Sequence, residues 1–502
     1  MKTLLLSLLL FLCILSVPVC SQPVQGTITP YPAQGFKLIK IWGTHQERGY
    51  AYGYLAGSQI TTLVNNYVKL ALSGVYNTAR TMMTNGNDFI FDSLYIVEAK
   101  AMIAGMNAAQ TNTTNLDYVD LLVSNSILDV MAVTKKKSGL GCSSLMSWDS
   151  ATSGTTLAGQ SVVSRHLDWQ INANLINNQV IVISIPSEPD EQTWALVGFA
   201  GMFTALSGFN ADMAAFQHQL DDVSAIGVSN QQYTPIWFCL RKALEKKDYN
   251  GDGQNNVQDL RSVLLNQANG FADAYILTSL ARSSQLVDSL IAMVAEVAPV
   301  NPYHSIRYNA FPDSIPGDNL YASNFSISRN NAMNFDSRYN GIRSHIGNGT
   351  ALDALAQWNL MKDYSHQSTN LQFMQFSPEA NLFRISVYGG GQAAYLRPYL
   401  DFDVLNLFAN PVGMEDVNTF NTPVQVFPNP FQQSLHIAGL PLYAGDYTIL
   451  ISDIMGKPCF KTTKQANSET TTINVPVLSP GPYFIKISSS EGIYHQKIIR
   501  VP

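Results

Sequence analysis

The stretch Gly141-Cys142-Ser143-Ser144, running on to Ser164-Arg165-His166-Leu167-Asp168-Trp169, decides how the chain is read. It sets a cysteine directly after a glycine and follows it with a fixed positive charge and a carboxylate. The thiolate is the reactive form of cysteine, and because a free thiol titrates at about 8.5 it needs a cation or a base nearby. If the chain were cut before Cys142, the new α-amino group, titrating at about 7.7–8.0, would itself be that base, and no catalytic histidine would be required. Gly141, without a side chain, permits the close approach needed for the Cys142 sulfur to attack its own upstream carbonyl. Arg165 can hold a thiolate or an oxyanion, and Asp168 can accept hydrogen bonds from the new amine or orient a substrate N–H. A cysteine in a Gly/Ser turn is more often inert than catalytic. Its conjunction with Arg165 and Asp168 reverses those odds. On an alternating strand His166 faces away from Arg165 and reads as structural, and Trp169 reads as core or pocket wall.

The surroundings bound this reading. A chain of 502 residues has material for roughly two to three folded units. Its net charge of −6 is spread without a basic stripe, which argues against nucleic acid as a partner. Lys2 precedes an apolar run over residues 4–19, with small residues before Gln22, which predicts a secretory signal peptide over residues 1–21. A membrane anchor is the competing reading, but the run is short for a span and no stop-transfer charges follow, so the mature chain is expected to carry no transmembrane segment. Of five cysteines, Cys13 and Cys20 leave with the signal; Cys142, Cys239 and Cys459 remain, too few and too far apart for a disulfide scaffold. Helical spacing dominates residues 60–68, 89–106 and 116–133, after a short strand at 36–42. Residues 22–141 are therefore read as mainly helical, and a cut before Cys142 would make them a pro-segment or small chain. Beyond Cys142 the pattern alternates: strands at 156–164, 179–185, 193–199 and 214–218; helices at 233–247, 257–267 and 272–298; strands again at 319–323, 371–376 and 382–388. That predicts a layered α+β core over 142–409. A turn-rich linker follows at 410–423.

At this point the residues resemble a family, the cysteine N-terminal-nucleophile hydrolases. Within it the chain is most similar to the autoproteolytic acyltransferase group of penicillin acyltransferase, acid ceramidase and choloylglycine hydrolase. The likeness rests on Gly141-Cys142 with Arg165 and Asp168, and extends to other segments. Upstream, Gly43-Thr44-His45-Gln46-Glu47-Arg48-Gly49 resembles the opening of the family's pro-segment. Downstream, Ser207-Gly208-Phe209-Asn210, Ala322-Ser323-Asn324-Phe325 and Asp336-Ser337-Arg338 resemble its later motifs, so that the match covers roughly residues 36–400. The resemblance implies a four-layer αββα sandwich, self-cleavage between Gly141 and Cys142, and chemistry on a linear N-acyl amide, with no cofactor for catalysis. It makes Cys142 the nucleophile and its amine the base, with Asp168 positioning that amine, Arg165 and Arg338 supplying charge, and Asn324 and Asn210 donating to the oxyanion. The substrate would be a small-molecule or lipid amide, bile-salt-like conjugates included, and either water or an amine would take the acyl group. A catalytically dead, calcium-binding surface protein is the alternative from another class.

Two further signals stand apart from the cysteine. In the loop 248–259, Asp248, Asn250, Asp252, Gln254, Asn256 and Asp259 occupy EF-hand ligand positions with Gly253 at the sixth, and helical stretches flank both ends. Calcium as a structural ion is the expectation, and an Asn/Gly-rich connection that binds no metal is the competing reading. The tail, residues 424–502, has short strands at regular spacing, which predicts a small all-β sandwich. Val426-Phe427-Pro428-Asn429-Pro430-Phe431, Asp453, Gly456-Lys457, Leu478 with Gly481-Pro482-Tyr483, and Gln496-Lys497-Ile498-Ile499 resemble, in that order, the type IX secretion sorting domain. That likeness implies passage through the type IX secretion machinery and a destination outside the cell or on the outer-membrane surface.

Overall fold

The computed structural model describes residues 23–136, 139–220, 227–283, 287–309, 315–329, 336–347, 350–409, 424–440, 446–453, 458–465, 470–476, 478–489 and 492–501. The expected signal peptide and the linker 410–423 lie outside these residues. The chain divides into two compact units, Met1–Phe408 and Ala409–Pro502.

Among the described residues, the first unit contains two large sheets. One has nine strands: β1 (Gly26–Tyr31), β2 (Phe36–Gly43), β5 (Gln179–Pro186), β6 (Trp194–Phe199), β7 (Ser207–Asn210), β8 (Met213–Gln219), β9 (Tyr275–Ala281), β10 (Ala292–Val297) and β11 (His304–Arg307), in that order across the sheet. The other has six, in the order β12 (Asn319–Ala322), β3 (Gly141–Ser147), β4 (Val162–Asp168), β13 (Asn370–Ser377), β14 (Leu382–Val387) and β15 (Leu400–Asp403). Every pairing is antiparallel except β2 with β5, which run parallel with Leu38 opposite Ile181. The sequence of β5, Gln-Val-Ile-Val-Ile-Ser-Ile-Pro, is a near-continuous apolar run of the kind that a strand buried on both faces requires.

Alternation sends that run to two different cores. Val180 and Val182 join the cluster under the helices, whereas Ile181 and Ile183 join the one between the sheets. Met146, Val163, Phe376 and Ile385 of the six-stranded sheet face Ala195, Val197, Phe216 and Val294 of the nine-stranded one in the second cluster. The outer face of the nine-stranded sheet carries the principal helices α1 (His45–Leu63), α2 (Ser93–Ala108), α3 (Tyr118–Asn125), α4 (Ile127–Val133), α5 (Ile236–Glu245) and α6 (Val257–Leu265). The outer face of the six-stranded sheet packs Leu145, Tyr321 and Phe373 against Tyr339, Ile342, Trp358 and Met361 of α7 (Ser337–Ile346) and α8 (Ala354–Tyr364). Helix α1 begins in a capping box, Thr44 with Glu47, and lies against α2 so closely that a Cβ on Gly53 would come within 1.9 Å of the Met102 carbonyl oxygen.

One expectation fails outright. Residues 272–298 are read as a helix from their apolar spacing, yet they form β9 and β10, paired with Val294 opposite Thr278 and joined through the short helix Asp288–Ile291. Both strands are buried throughout, and an apolar run without polar alternation does not distinguish a buried strand from a buried helix.

The second unit, among its described residues, is all β. Three strands, Gln425–Phe427, Ser434–Ala438 and Thr470–Asn474, form one sheet, and Asp446–Ser452, Pro458–Gln465, Gly481–Ser489 and Gly492–Arg500 form another. Their shared core holds Val426, Leu435, Ile437 and Ile473 from the first and Ile449, Ile451, Ile485 and Ile487 from the second.

Candidate active site

Cys142 sits at the second position of β3, with Leu167 opposite it on β4 and Gly141 opposite Asp168. The strand register thus delivers the two ends of the sequence motif to one place. A Cβ on Gly141 would come within 3.0 Å of Gln367 Oε1 and 3.3 Å of the Asp168 Cβ, so either neighbour would have to give by a few tenths of an ångström to admit one. Arg165 Nη2 lies 3.2 Å from Cys142 Sγ and donates to the Gln217 carbonyl at 3.0 Å. Both Cys142 and Arg165 are 0% exposed. Among the described residues Nε and Nη1 of Arg165 have no hydrogen-bond partner, which leaves a buried cation with open donors beside the sulfur. Such a group is costly unless an anion answers it.

Burial pushes the Cys142 thiol up to about 11, against the pull of Arg165. Burial likewise pushes the Asp168 carboxyl up to about 6, opposed by Arg338, Asn370 and Arg165. Asp168 Oδ1 accepts from Asn370 Nδ2 at 3.0 Å, and Oδ2 lies 3.9 Å from Arg338 Nη1. Asn370 reaches this position because the β13–β4 register shifts between Asn370 and Gln372, a bulge that re-aims its side chain.

Asn324, just past β12, and Arg338, in the first turn of α7, meet at the main chain of Cys142. The Cys142 N–H donates to Asn324 Oδ1 at 3.0 Å, and Arg338 Nη1 donates to the Cys142 carbonyl at 3.1 Å. Arg338 Nη2 also donates to Asn324 Oδ1 at 2.9 Å; a guanidinium only donates, so that atom must be the amide oxygen. Asn324 Nδ2 donates to the Gln219 carbonyl at 2.7 Å. The amide therefore presents its oxygen to Cys142, whereas the role expected from the resemblance uses its nitrogen.

Asn210 is not brought to this site. Its Nδ2 donates to the Leu244 carbonyl and to Asn255 Oδ1, and its Oδ1 accepts from the main-chain N–H groups of Asp212 and Met213, closing the β7–β8 hairpin. It lies at the Met213 end of β8, while the contacts to Cys142 come from Gln217, four residues and roughly 13 Å along the strand. The Gly-x-Asn pattern marks a turn there and nothing more. His166 faces the opposite side of the sheet from Cys142, with its ring stacked on Phe373 at 4.0 Å and Nε2 bonded to the Met361 carbonyl.

The structure adds residues that the sequence did not single out. The Gln217 carbonyl fixes Arg165, the Gln217 Oε1 accepts from Trp237 Nε1 at 3.1 Å, and among the described residues its Nε2 is buried without a partner. His218 bonds Ser144 Oγ at 2.9 Å behind Arg165. Main-chain carbonyls leave no residue-type signature, and Gln217 and Asn370 belong to no motif, so only the strand register reveals them. Leu140, Cys142, Leu167 and Trp169 share one buried apolar cluster, in which the Trp169 ring meets Tyr67 and Phe199 edge-on.

In the loop after α5, Asp248 accepts from the N–H groups of Gly251, Asp252 and Gly253, and Asp252 Oδ1 accepts from Gln254. Gly251 and Gly253 have φ of 81° and 87°, the left-handed turns that an EF-hand loop needs. Asn256 caps α6, and Asp259, at its third position, completes a capping box while accepting from Tyr249 and Asn250. Asn250 Nδ2 donates to Asp252 Oδ2 at 2.9 Å. The side chains offer oxygen donors of the kind calcium takes, and their carboxylate oxygens accept from main-chain N–H groups of the loop and of the α6 cap.

Comparison with known proteins bears mainly on the tail. An uncharacterized protein of Archaeoglobus fulgidus is 27% identical over 239 residues, covering 41% of this chain and 38% of its own length. Among solved structures, CopC from Methylosinus trichosporium OB3b aligns with a TM-score of 0.13 and 17% identity, over 16% of this chain and 91% of that one. Dimeric latent PorU from Porphyromonas gingivalis aligns with a TM-score of 0.14 and 16% identity, over 26% and 12%. Scores this low do not speak for a shared fold. No helix among the described residues is long and apolar enough to cross a membrane. Residues 425–501 match the family model of the secretion system C-terminal sorting domain. The tail is thus a type IX sorting domain, and it directs the chain to the cell surface or beyond.

Proposed function

We propose that the first unit is a self-activating cysteine amidohydrolase or acyltransferase of the N-terminal-nucleophile type, with its two sheets and flanking helices as the four-layer αββα scaffold of that class. The observation that carries this reading is the 3.2 Å approach of Arg165 Nη2 to Cys142 Sγ, both wholly buried, at the bond that follows Gly141. In the activation step Cys142 Sγ attacks the Gly141 carbonyl carbon. The carbon–nitrogen bond breaks as the thiol proton passes to the Cys142 nitrogen, which leaves a thioester between Gly141 and the sulfur. Water hydrolyses that thioester, giving a Gly141 carboxylate, the free thiol and a free α-amine.

The amine, titrating at about 7.7–8.0, then serves as base. It takes the thiol proton as sulfur attacks the acyl carbon of a substrate amide, and returns it to the leaving amine. The acyl-enzyme passes its acyl group to water or to a second amine. Asp168 orients the amine. Arg165, with two open donors, is suited to the thiolate and to the developing oxyanion. Asn324 would join it only after its amide turned from Gln219. Denaturing electrophoresis of wild type beside Cys142→Ala tests the activation. Two core fragments from the wild type and one band from the variant support it, whereas an uncut wild type favours the second reading, a calcium-binding surface protein on an inactive scaffold.

The oxygens of Asp248, Asn250, Asp252, Asn256 and Asp259, with the main chain of Gln254, would hold calcium in the loop. The ion would stiffen the α5–α6 connection and take no part in catalysis.

A further inference from the structure

A second buried cluster of charge spans the boundary between the segment before Cys142 and the rest of the unit. From the first side come His45 and Arg48 on α1 and Glu98 on α2; from the second come Glu188 and Glu191 after β5, Arg241 and Glu245 on α5, and Lys246. His45 is 1% exposed, and Arg48 and Arg241 are 0% exposed. His45 Nδ1 lies 2.6 Å from Glu98 Oε2, and its Nε2 lies 3.0 Å from Glu191 Oε1 and 3.3 Å from Glu245 Oε1. Arg48 reaches Glu188 at 2.7 Å and Glu191 at 3.0 Å, and Arg241 returns across the boundary to Glu98 at 2.6 Å.

His45, Glu191 and Glu245 offer ligand atoms within 4.8 Å of one another, as a metal site would. The carboxylates are already answered, however: Arg48 Nη2 is 3.6 Å from Glu245 and Lys246 Nζ is 3.2 Å from Glu191, so a dication would enter among cations. Carboxylates on both ring nitrogens call for two N–H donors, and only the imidazolium has two.

We propose that this cluster is a charged joint that, beside the β2–β5 pairing and the shared apolar core, helps keep residues 23–136 seated on the remainder of the unit once the chain is cut at Cys142, with His45 as its charged centre. The cut rests on the function proposed above; the joint does not. A buried ion-pair network opens when one member loses its charge, because the partners left behind become unpaired in a low-dielectric interior. His45 faces Glu98 and the Tyr95 ring from α2, Glu191 from the segment after β5, and Glu245 and Arg241 from α5, with Arg48, Glu188 and Lys246 in the next ring of charges. Burial works against the charged imidazole, but the hydrogen bonds to Glu191 and Glu98 outweigh it and raise its pKa to about 9. With its folded value above the unfolded one of about 6.5, His45 contributes stability that is fully present below about pH 6.5 and is lost as the pH rises through 9. Glu98, held at about 2 by Arg241 and His45 against burial, sets the opposite limit, its share being lost as the pH falls from the ordinary carboxylate range towards 2.

Urea unfolding of the uncut Cys142→Ala chain, with His45 and with His45→Gln, at about pH 6 and about pH 9.5, tests the joint. The expected result is a midpoint that falls between the two pH values with His45 present, and is low and flat in the glutamine variant. An equal fall in both overturns the proposal. In cut wild type the N-terminal fragment should co-elute with the remainder at about pH 6 and separate at lower urea at about pH 9.5. Its release at about pH 6 without denaturant overturns the docking. An uncut wild type counts instead against the proposed self-activation, and the uncut-chain arm still decides the joint.

Discussion

The main-chain nitrogen of Cys142 donates to Asn324 Oδ1 at 3.0 Å, so the group that would become the catalytic amine is already held before any cut. Arg338 pins the same oxygen from the other side. Asn324→Ala should therefore slow self-cleavage and turnover by about 10²-fold, the order expected when a reacting group is misplaced by about an ångström. Asn210→Ala should leave both rates near wild type while costing about 1–3 kcal/mol of stability, because its bonds serve the β7–β8 hairpin and the α5–α6 loop. Cleavage half-times and urea midpoints on the two variants check the contrast.

Arg165→Met keeps the length of the stem and removes the charge. With the Cys142 thiol already raised to about 11 by burial, loss of the cation at 3.2 Å removes the strongest group that favours the thiolate and leaves only the Asp168 main chain and Arg338 to do so. Self-cleavage should stop on the scale of days. Near-ultraviolet circular dichroism should remain that of a folded chain, since the variant also removes a buried cation with two open donors.

Asp168 is a residue kept at a cost to stability. Burial raises its carboxyl from 3.8 to about 6, so ionisation in the folded chain is opposed, and the penalty appears as the pH rises through that interval. Asp168→Asn should raise the melting temperature at about pH 8, by an amount equivalent to roughly 3 kcal/mol at most, and change it little at about pH 4. The same variant should fail to cleave. Scanning calorimetry at the two pH values checks the stability and electrophoresis the cleavage.

Calcium should raise the melting temperature of the chain by mass action, and excess chelator should reverse the rise. Asp248→Ala, which removes the carboxylate at the head of the loop, should abolish the shift. Binding measured by titration calorimetry provides a readout independent of activity.

Much of the site was legible from residue types. Gly141, Cys142, Arg165 and Asp168 lie in two strands that the sequence places one after the other, and the register pairs Gly141 with Asp168. His166 was correctly turned away, because alternation is a property of any strand. Asn210 was misplaced because a Gly-x-Asn turn reads the same whether or not it faces a nucleophile. Asn324 was found, but the direction of its amide depends on Arg338 and Gln219, which no local pattern reports. The β9–β10 hairpin was read as helix because both of its faces are buried. The cluster around His45 was invisible for a similar reason: its members come from α1, α2, α5 and the segment after β5, and only the fold brings them together.

The central claim is that the chain cuts itself so that Cys142 becomes a free N-terminus. Intact-mass spectrometry and N-terminal sequencing of the purified protein test it most directly. A fragment beginning at Cys142 is expected in the wild type, and a single chain continuous through Gly141–Cys142 in Cys142→Ala. A wild type that stays continuous through that bond, or a variant cut there as readily as the wild type, would contradict it.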